Sequence, residues 1–399
     1  MATLVALLFA LGVMNTFVSQ SRLLINNSRQ NDAIADWIAA RAAFDGLDPY
    51  QDVTSLAAHY RGRLQDPPTL EGHKGIHFRP PGALLLLAPL TLVDSNDAFD
   101  VVVGLTALLV IVMAILIARL VGVGLPQALF VAPLGALMLP IVETFNWGAQ
   151  SVIIATLLLA AWIEVRERDS FSGGVLIGLA ATLKLYPALL VVPLLAHRRR
   201  RAAMSALGSF TILQIAALAF LPGLKLGRAL EAMSDAGRIW GPFRGNASLA
   251  GKLAALGLPW ETSVFLSLGV GGLLLWFGWK RIRDLDGRFA FTLLVATLLS
   301  PLSWLHYDVA IIPVVAWLAV KRSHPVTTAA VVTWTVGVLY SWPLLLHIFG
   351  RLDLTGSLTS FAGRIFLIVI FVFVGSEKAE GSRDEGLPTS VYAPQAATP

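Results

Sequence analysis

The sequence predicts an all-α polytopic membrane protein, and three observations carry that prediction. Of 399 residues, 56% are hydrophobic and only 14% charged, where an ordinary soluble domain carries about 25% charged residues. Mean hydropathy is +0.71. From residue 101 to residue 163 only Arg119 and Glu143 bear formal charge, an interval that no soluble core sustains. The apolar runs are long and unbroken, which excludes a transmembrane β-barrel with its short alternating segments. With no cysteine, disulfides and thiolate chemistry are excluded.

A helical span needs about 20 apolar residues. On that criterion the spans are 2–18, 98–119, 125–143, 148–165, 203–222, 262–283, 288–305, 307–320, 326–347 and 359–375, about ten full crossings. The first lacks a basic leader and reads as a retained anchor rather than a cleaved signal. Net charge is +5, but the basic residues cluster at span ends, so they set topology and do not imply a nucleic-acid partner. Arg119, Arg166 with Arg168, Arg198 to Arg201, Lys280 to Arg288, and Lys321 with Arg322 place thirteen basic residues on one side, against Arg351 at the short opposite junctions. The basic side is expected to be cytoplasmic, with both termini.

That orientation requires two apolar segments not to cross. Residues 80–93, opened by Pro80-Pro81, read as a short helix dipping in from the outer face. Residues 172–196 carry basic residues at both ends and read as a hairpin of two half-helices, broken near Lys184–Pro187. Two polar regions, 19–77 and 223–261, then face outward. Within the first, Ile34, Trp37, Ile38 and Phe44 fall on one helical face, so 33–45 is expected to lie on the membrane surface. Gly46 ends it and Asp48-Pro49-Tyr50 turns the chain. Residues 1–375 form one transmembrane domain, and the Pro- and Ala-rich tail 376–399 is expected to be disordered.

Lys184 is an ionisable group deep in an apolar hairpin, a position rarely occupied without purpose. It reads as a cation for a lipid phosphate, or as a structural partner of Glu143 or a backbone carbonyl. Asp32 and Asp36, four apart in the outward acidic loop, share a helix face, where a carboxylate could accept a hydroxyl proton; from spacing alone, an ordinary solvated N-terminal turn is the better account of them. Ser300 to Asp308 marks an outer turn in which Trp304 suits an interface anchor and His306 suits either a structural role or a phosphate contact. Asn246-Ala247-Ser248 reads by default as a turn or cap.

Together these pieces resemble glycosyltransferase family 87, over residues 30–320. The family's opening pattern stands as Asp32, Trp37, Ala39-Ala40-Arg41, Gly46 and Asp48-Pro49-Tyr50. Phe78-Arg79-Pro80-Pro81 follows, then Gly178-Leu179-Ala180-Ala181-Thr182-Leu183-Lys184-Leu185-Tyr186-Pro187 and the run Arg198 to Arg201. Asn246 to Leu249 and Ser300 to His306 complete the order. The family's Gly-Gln pair is loosened here to Gly148-Ala149-Gln150.

The resemblance implies a GT-C-like fold in a bacterial plasma membrane, with the active site at the outer face. It implies a polyprenyl-phosphate-sugar donor, mannose being the family's best-known sugar, and a glycolipid or glycan acceptor. The general base matches Asp32 better than Asp36. The resemblance further implies donor-phosphate contacts at Lys184, His306 and Arg79, and substrate contacts at Trp37, Tyr50, Tyr186, Asn246 and Trp304. No metal is demanded, although the acidic loop leaves a divalent cation optional. The rival reading is a transporter or lipid-linked-sugar flippase, which a broken helix with a buried lysine also suits.

Overall fold

The computed structural model describes residues 32–60, 64, 77–136, 138–321, 331, 334 and 352–374, and every element among them is helical. In chain order these are α1 (Asp32–Phe44), α2 (Val53–His59), α3 (Pro81–Leu87, continued by a 3₁₀ turn Ala88–Leu92), α4 (Ser95–Val121), α5 (Leu125–Ala136), α6 (Leu139–Trp147) and α7 (Ser151–Glu167). Next come α8 (Phe171–Leu183), a 3₁₀ turn Tyr186–Leu190 running into α9 (Val191–Ala196), α10 (Arg200–Phe220), α11 (Leu226–Trp240), α12 (Leu249–Ala255) and α13 (Trp260–Arg281). The last described elements are α14 (Leu285–Leu299), a 3₁₀ turn Leu305–Ile311 running into α15 (Ile312–Lys321), and α16 (Leu352–Val374).

Among the described residues three helices, α4, α10 and α13, are long and apolar enough to cross a membrane. Shorter apolar stretches lie at Pro81–Leu92, Phe171–Leu183, Tyr186–Ala196, Leu305–Val320 and, within α16, Ser357–Val372. The expected spans 2–18 and 326–347 and the tail 376–399 lie outside the described residues. The expected span 125–143 is two helices, α5 and α6. Pro140 occupies the first turn of α6, where its missing N–H costs nothing, whereas within a continuous helix it would remove a backbone hydrogen bond.

The hairpin at 172–196 forms as expected. Helix α8 stops at Lys184, whose backbone is extended (φ −148°, ψ 137°), three residues before Pro187 starts the 3₁₀ turn. The two flanks of the hairpin then meet. Asp169 accepts hydrogen bonds from the backbone N–H of Arg201 and Ala202 at 3.0 and 2.9 Å, and Arg199 donates to the carbonyl of Arg166 at 3.2 Å. The segment therefore returns to the end of the bundle where it began. A β-carbon at Gly174 or Gly178 would collide with Ala202, Ser205, Ala206 and Ser209, so these glycines let α8 and α10 approach as small residues do in apolar helix pairs.

Helix α1 does not lie on the surface as expected. Ile34, Trp37, Ile38 and Ala42 pack with Val53 and Leu56 of α2, while Ala39, Ala40 and Ala43 pack against Leu84, Leu87, Ala217 and Ala229. Its alanines give it a second apolar face narrow enough to be enclosed, and only Phe44, 56% exposed, turns out of the bundle. Trp37 donates its indole N–H to the carbonyl of Val93 at 3.0 Å, clamping α1 to the end of the 3₁₀ turn.

A buried ion pair secures the Ser300 to Asp308 turn. Arg364, in the middle of α16, is fully buried, with Nε 2.7 Å from Asp308. It also donates to the Thr297 carbonyl at 3.0 Å, the Ser303 hydroxyl at 2.6 Å and the Trp304 carbonyl at 3.3 Å. It therefore holds the Ser300 to Asp308 turn against α14 and α16. Removing one partner of a buried pair costs about 3–5 kcal/mol. Arg364→Met is expected to lower the thermal unfolding temperature in detergent by that equivalent, and Arg364→Met/Asp308→Leu to recover most of it. If the single variant melts with the wild type, the pair is not what holds the turn.

Candidate active site

Five segments converge at one end of the bundle: the start of α1, the extended strip 77–80, the N-terminal end of α7, the hairpin break, and the 3₁₀ turn Leu305–Ile311. The strip is extended because Pro80-Pro81 fixes φ at both residues and disfavours helix before them. It delivers Arg79 to α1. The Arg79 guanidinium grips Asp36 with both prongs, Nε at 2.9 Å and Nη2 at 3.0 Å, and Nη2 reaches Asp32 at 3.7 Å. Burial by itself would depress the Arg79 pKa, but the Asp36 and Asp32 carboxylates raise it further above an already high value, so this cation is permanent.

The two carboxylates differ in surroundings. The Asp36 side chain is 4% exposed, whereas that of Asp32 is 33% exposed. Asp36 also accepts from Gln150 Nε2 at 2.7 Å, a contact made because Gln150 precedes α7 at its first turn. His77 places Nδ1 3.8 Å from Asp36. Burial first, and the Arg79 charge second, push the His77 pKa down to about 3, so the ring is neutral and packs beside the carboxylate without pairing with it. Tyr50 donates its hydroxyl to the Arg79 carbonyl at 3.1 Å and fixes the strip from below; burial raises the Tyr50 pKa, so the hydroxyl stays protonated.

Opposite this carboxylate–guanidinium group stands Lys184. Its ammonium lies 3.6 Å from the centroid of the Tyr307 ring and 3.4 Å from His306 Nε2, and Tyr307 rests on Tyr186 with centroids 5.6 Å apart. An aromatic face supports a cation without neutralising it. Burial first, and the Arg79 charge second, weigh against the Lys184 ammonium, whereas the Asp32 and Asp36 carboxylates favour it. Glu143, considered as a partner for Lys184, instead accepts from Trp147 at 2.8 Å.

Asn246 is fully buried and ties two loops together. Its Nδ2 donates to the carbonyls of Gly241 and Pro301, and its Oδ1 accepts from the N–H groups of Ser248 and Ser303. All four amide valences are thus used within the protein. Trp304, partly buried, packs with Phe243 and Trp240 at 5.7 and 6.4 Å. The remaining described carboxylates of the first loop have structural partners: Asp45 with Arg41 and Tyr60, Asp48 with Arg228, and Asp52 at the start of α2. Among the described residues no cluster of three or more His, Asp or Glu side chains is placed to hold a metal ion.

The sequence alone does not point to His77 or Arg364 and reads Tyr307 only as an interface anchor in the turn with Trp304. Arg364 had the same signal as Lys184, a lone charge in an apolar helix. Gln150 was visible only as an irregular motif. His77 has no signal beyond standing next to Phe78-Arg79-Pro80-Pro81.

The described bundle is all-helical and holds Asp32, Asp36, Arg79 and Lys184 among its helices. The description of glycosyltransferase family 87 matches residues 78–305, more than half of the chain, and the chain belongs to that family. It is 30% identical over 272 residues to a polyprenol-phosphate-mannose-dependent alpha-(1-2)-phosphatidylinositol pentamannoside mannosyltransferase of Mycolicibacterium smegmatis, covering 64% of each chain. It is 26% identical over 339 residues to a polyprenol-phosphate-mannose-dependent alpha-(1-2)-phosphatidylinositol mannoside mannosyltransferase of the same organism, covering 75% of this chain and 73% of the relative. A Mycobacterium tuberculosis relative bearing the pentamannoside name is 30% identical over 209 residues, 46% of its length. The chain thus spans about half to two thirds of the length of the two pentamannoside relatives.

Proposed function

We propose that this protein transfers a sugar, mannose in the first instance, from a polyprenyl-phosphate donor to a hydroxyl of a glycolipid or glycan acceptor, in one inverting displacement at the outer face of the plasma membrane. The observation that supports the reading is a one-third-exposed Asp32, set 3.7 Å from Arg79, together with a Lys184 ammonium held 3.6 Å from the centroid of the Tyr307 ring. In this mechanism the acceptor oxygen attacks the anomeric carbon as Asp32 takes its proton. The bond from that carbon to the phosphate oxygen breaks, and polyprenyl phosphate leaves with the bonding electrons. Lys184 meets the leaving charge, with His306 beside it. The reading does not call on a divalent cation.

Arg79 and Asp36 take a positioning role. Arg79 is already gripped by Asp36, so its contribution is to orient Asp32 and to add positive potential, with direct phosphate contact left to Lys184. Asn246, with its amide fully used, shapes the loop that presents Trp304. Trp304, Trp240 and Phe243 form the aromatic surface best suited to a sugar ring or a polyprenyl chain. The names of the relatives, which specify a polyprenol-phosphate-mannose donor, support the choice of donor.

The test is transfer of labelled sugar from polyprenyl-phosphate mannose by the purified protein reconstituted in vesicles, with and without phosphatidylinositol mannosides. The expected result is acceptor-dependent label in glycolipid. Label that only crosses a vesicle bilayer, with no new glycoside, would replace the enzyme with the flippase reading.

A further inference from the structure

We propose that α11 is a membrane-docking helix, lying along the bilayer surface at the end of the bundle that carries Asp32, with Leu226 and Leu230 inserted among the lipid chains. The sequence singled out 33–45 for such a role, and the structure encloses that helix. Helix α11 has the required asymmetry instead. At 100° per residue, three sectors separate around it. Ala229, Ala232 and Ala236 are buried against the protein. Leu226 and Leu230, 54% and 59% exposed, follow on the next sector. Arg228, Glu231 and Asp235 occupy the side roughly opposite those leucines, with Ile239 the one large apolar residue among them. Protein on one flank, apolar residues below and charges above is the arrangement of a helix lying in an interface, neither crossing it nor standing in water.

The bilayer is the occupant because this apolar face continues a surface that already meets lipid. Helix α10 is one of the three helices long and apolar enough to cross, and Ile212, Ile215 and Phe220 at its upper half are 66%, 61% and 74% exposed. Leu226 follows Phe220 after a five-residue connection. At the other end Gly237 and Gly241 pack on Trp260, the first residue of α13, another such helix, and Arg238 pairs with Glu261 at 2.9 Å. The helix therefore connects two lipid-facing spans at the level where both emerge. It is also fastened to the site. Ala229 and Ala232 pack with Ala39, Ala40 and Ala43 of α1, Gly223 N–H donates to the Ala43 carbonyl at 3.0 Å, and Arg228 pairs with Asp48 at 3.0 Å. Docking of α11 thus fixes the height of the Asp32 helix relative to the membrane.

The absence of cysteine makes the test direct and independent of any transfer activity. Leu226→Cys, Leu230→Cys and Asp235→Cys are each spin-labelled in the full chain, reconstituted in vesicles of phosphatidylethanolamine and phosphatidylglycerol. Collision with oxygen, which concentrates in lipid, is compared with collision with a water-soluble nickel chelate. The expected result is a several-fold oxygen preference at Leu226 and Leu230, reversed at Asp235, about 140° round the helix from Leu230. Both leucines are exposed, so either alone reads the face if the other variant fails to fold. Equal chelate access at the leucines and at Asp235 overturns the proposal, as does dipolar broadening at the leucines, which would give the face to a second copy of the chain.

Discussion

Asp32→Asn is expected to lower the turnover of sugar transfer by about 10²–10⁴-fold, the range a positioned general base contributes, while donor KM and melting behaviour stay near wild type. The effect falls on turnover because Asn keeps the shape of Asp32 but cannot accept the acceptor's proton. Converted at 1.36 kcal/mol per tenfold, the loss is about 3–5 kcal/mol in the transition state. Folding is spared because the Asp32 side chain is 33% exposed and Asn fills the same volume. Steady-state kinetics with detergent-solubilised protein, paired with a melting curve, measure both. Wild-type turnover in Asp32→Asn would remove Asp32 from the mechanism.

Asp36→Ala is expected to act in the opposite order, on stability first. Asp36 is held by Arg79 at 2.9 and 3.0 Å and by Gln150 at 2.7 Å. With the carboxylate gone, a buried guanidinium is left without its main counter-charge, a loss worth about 3–5 kcal/mol. Transfer falls too, because Arg79 is then released from the geometry that places it beside Asp32. The double variant Asp36→Ala/Arg79→Met removes the orphaned charge and is expected to regain stability but not transfer. That separation marks Asp36 as a positioning residue. If Asp36→Ala melts with the wild type yet abolishes transfer, while Asp32→Asn remains active, the two aspartates exchange roles.

The contrast between these carboxylates shows what the sequence could and could not carry. Spacing put Asp32 and Asp36 on one helical face but gave no reason to prefer either; the distinction depends on Arg79, 43 residues after Asp36, and on the direction in which Pro80-Pro81 sends it. The hairpin break was legible because a lysine and a proline interrupt an apolar run flanked by arginines, each a local signal. Enclosure of α1 was not, since whether an alanine-rich face meets lipid, water or another helix is decided by elements distant in the chain. The same holds for α11, whose apolar leucines show their purpose only beside α10. Asn246 was read correctly as a turn residue by default and gained a substrate role only through the family pattern; its four satisfied valences favour the default.

The anomeric configuration of the product tests the central reading most directly. With a donor of defined configuration, nuclear magnetic resonance of the purified glycolipid reports whether one displacement or two occurred. Asp32 acting as base, with Asp36 tied to Arg79 and Gln150, predicts complete inversion at the anomeric carbon. A product that retains the donor's configuration would require a second, covalent displacement and would contradict the account.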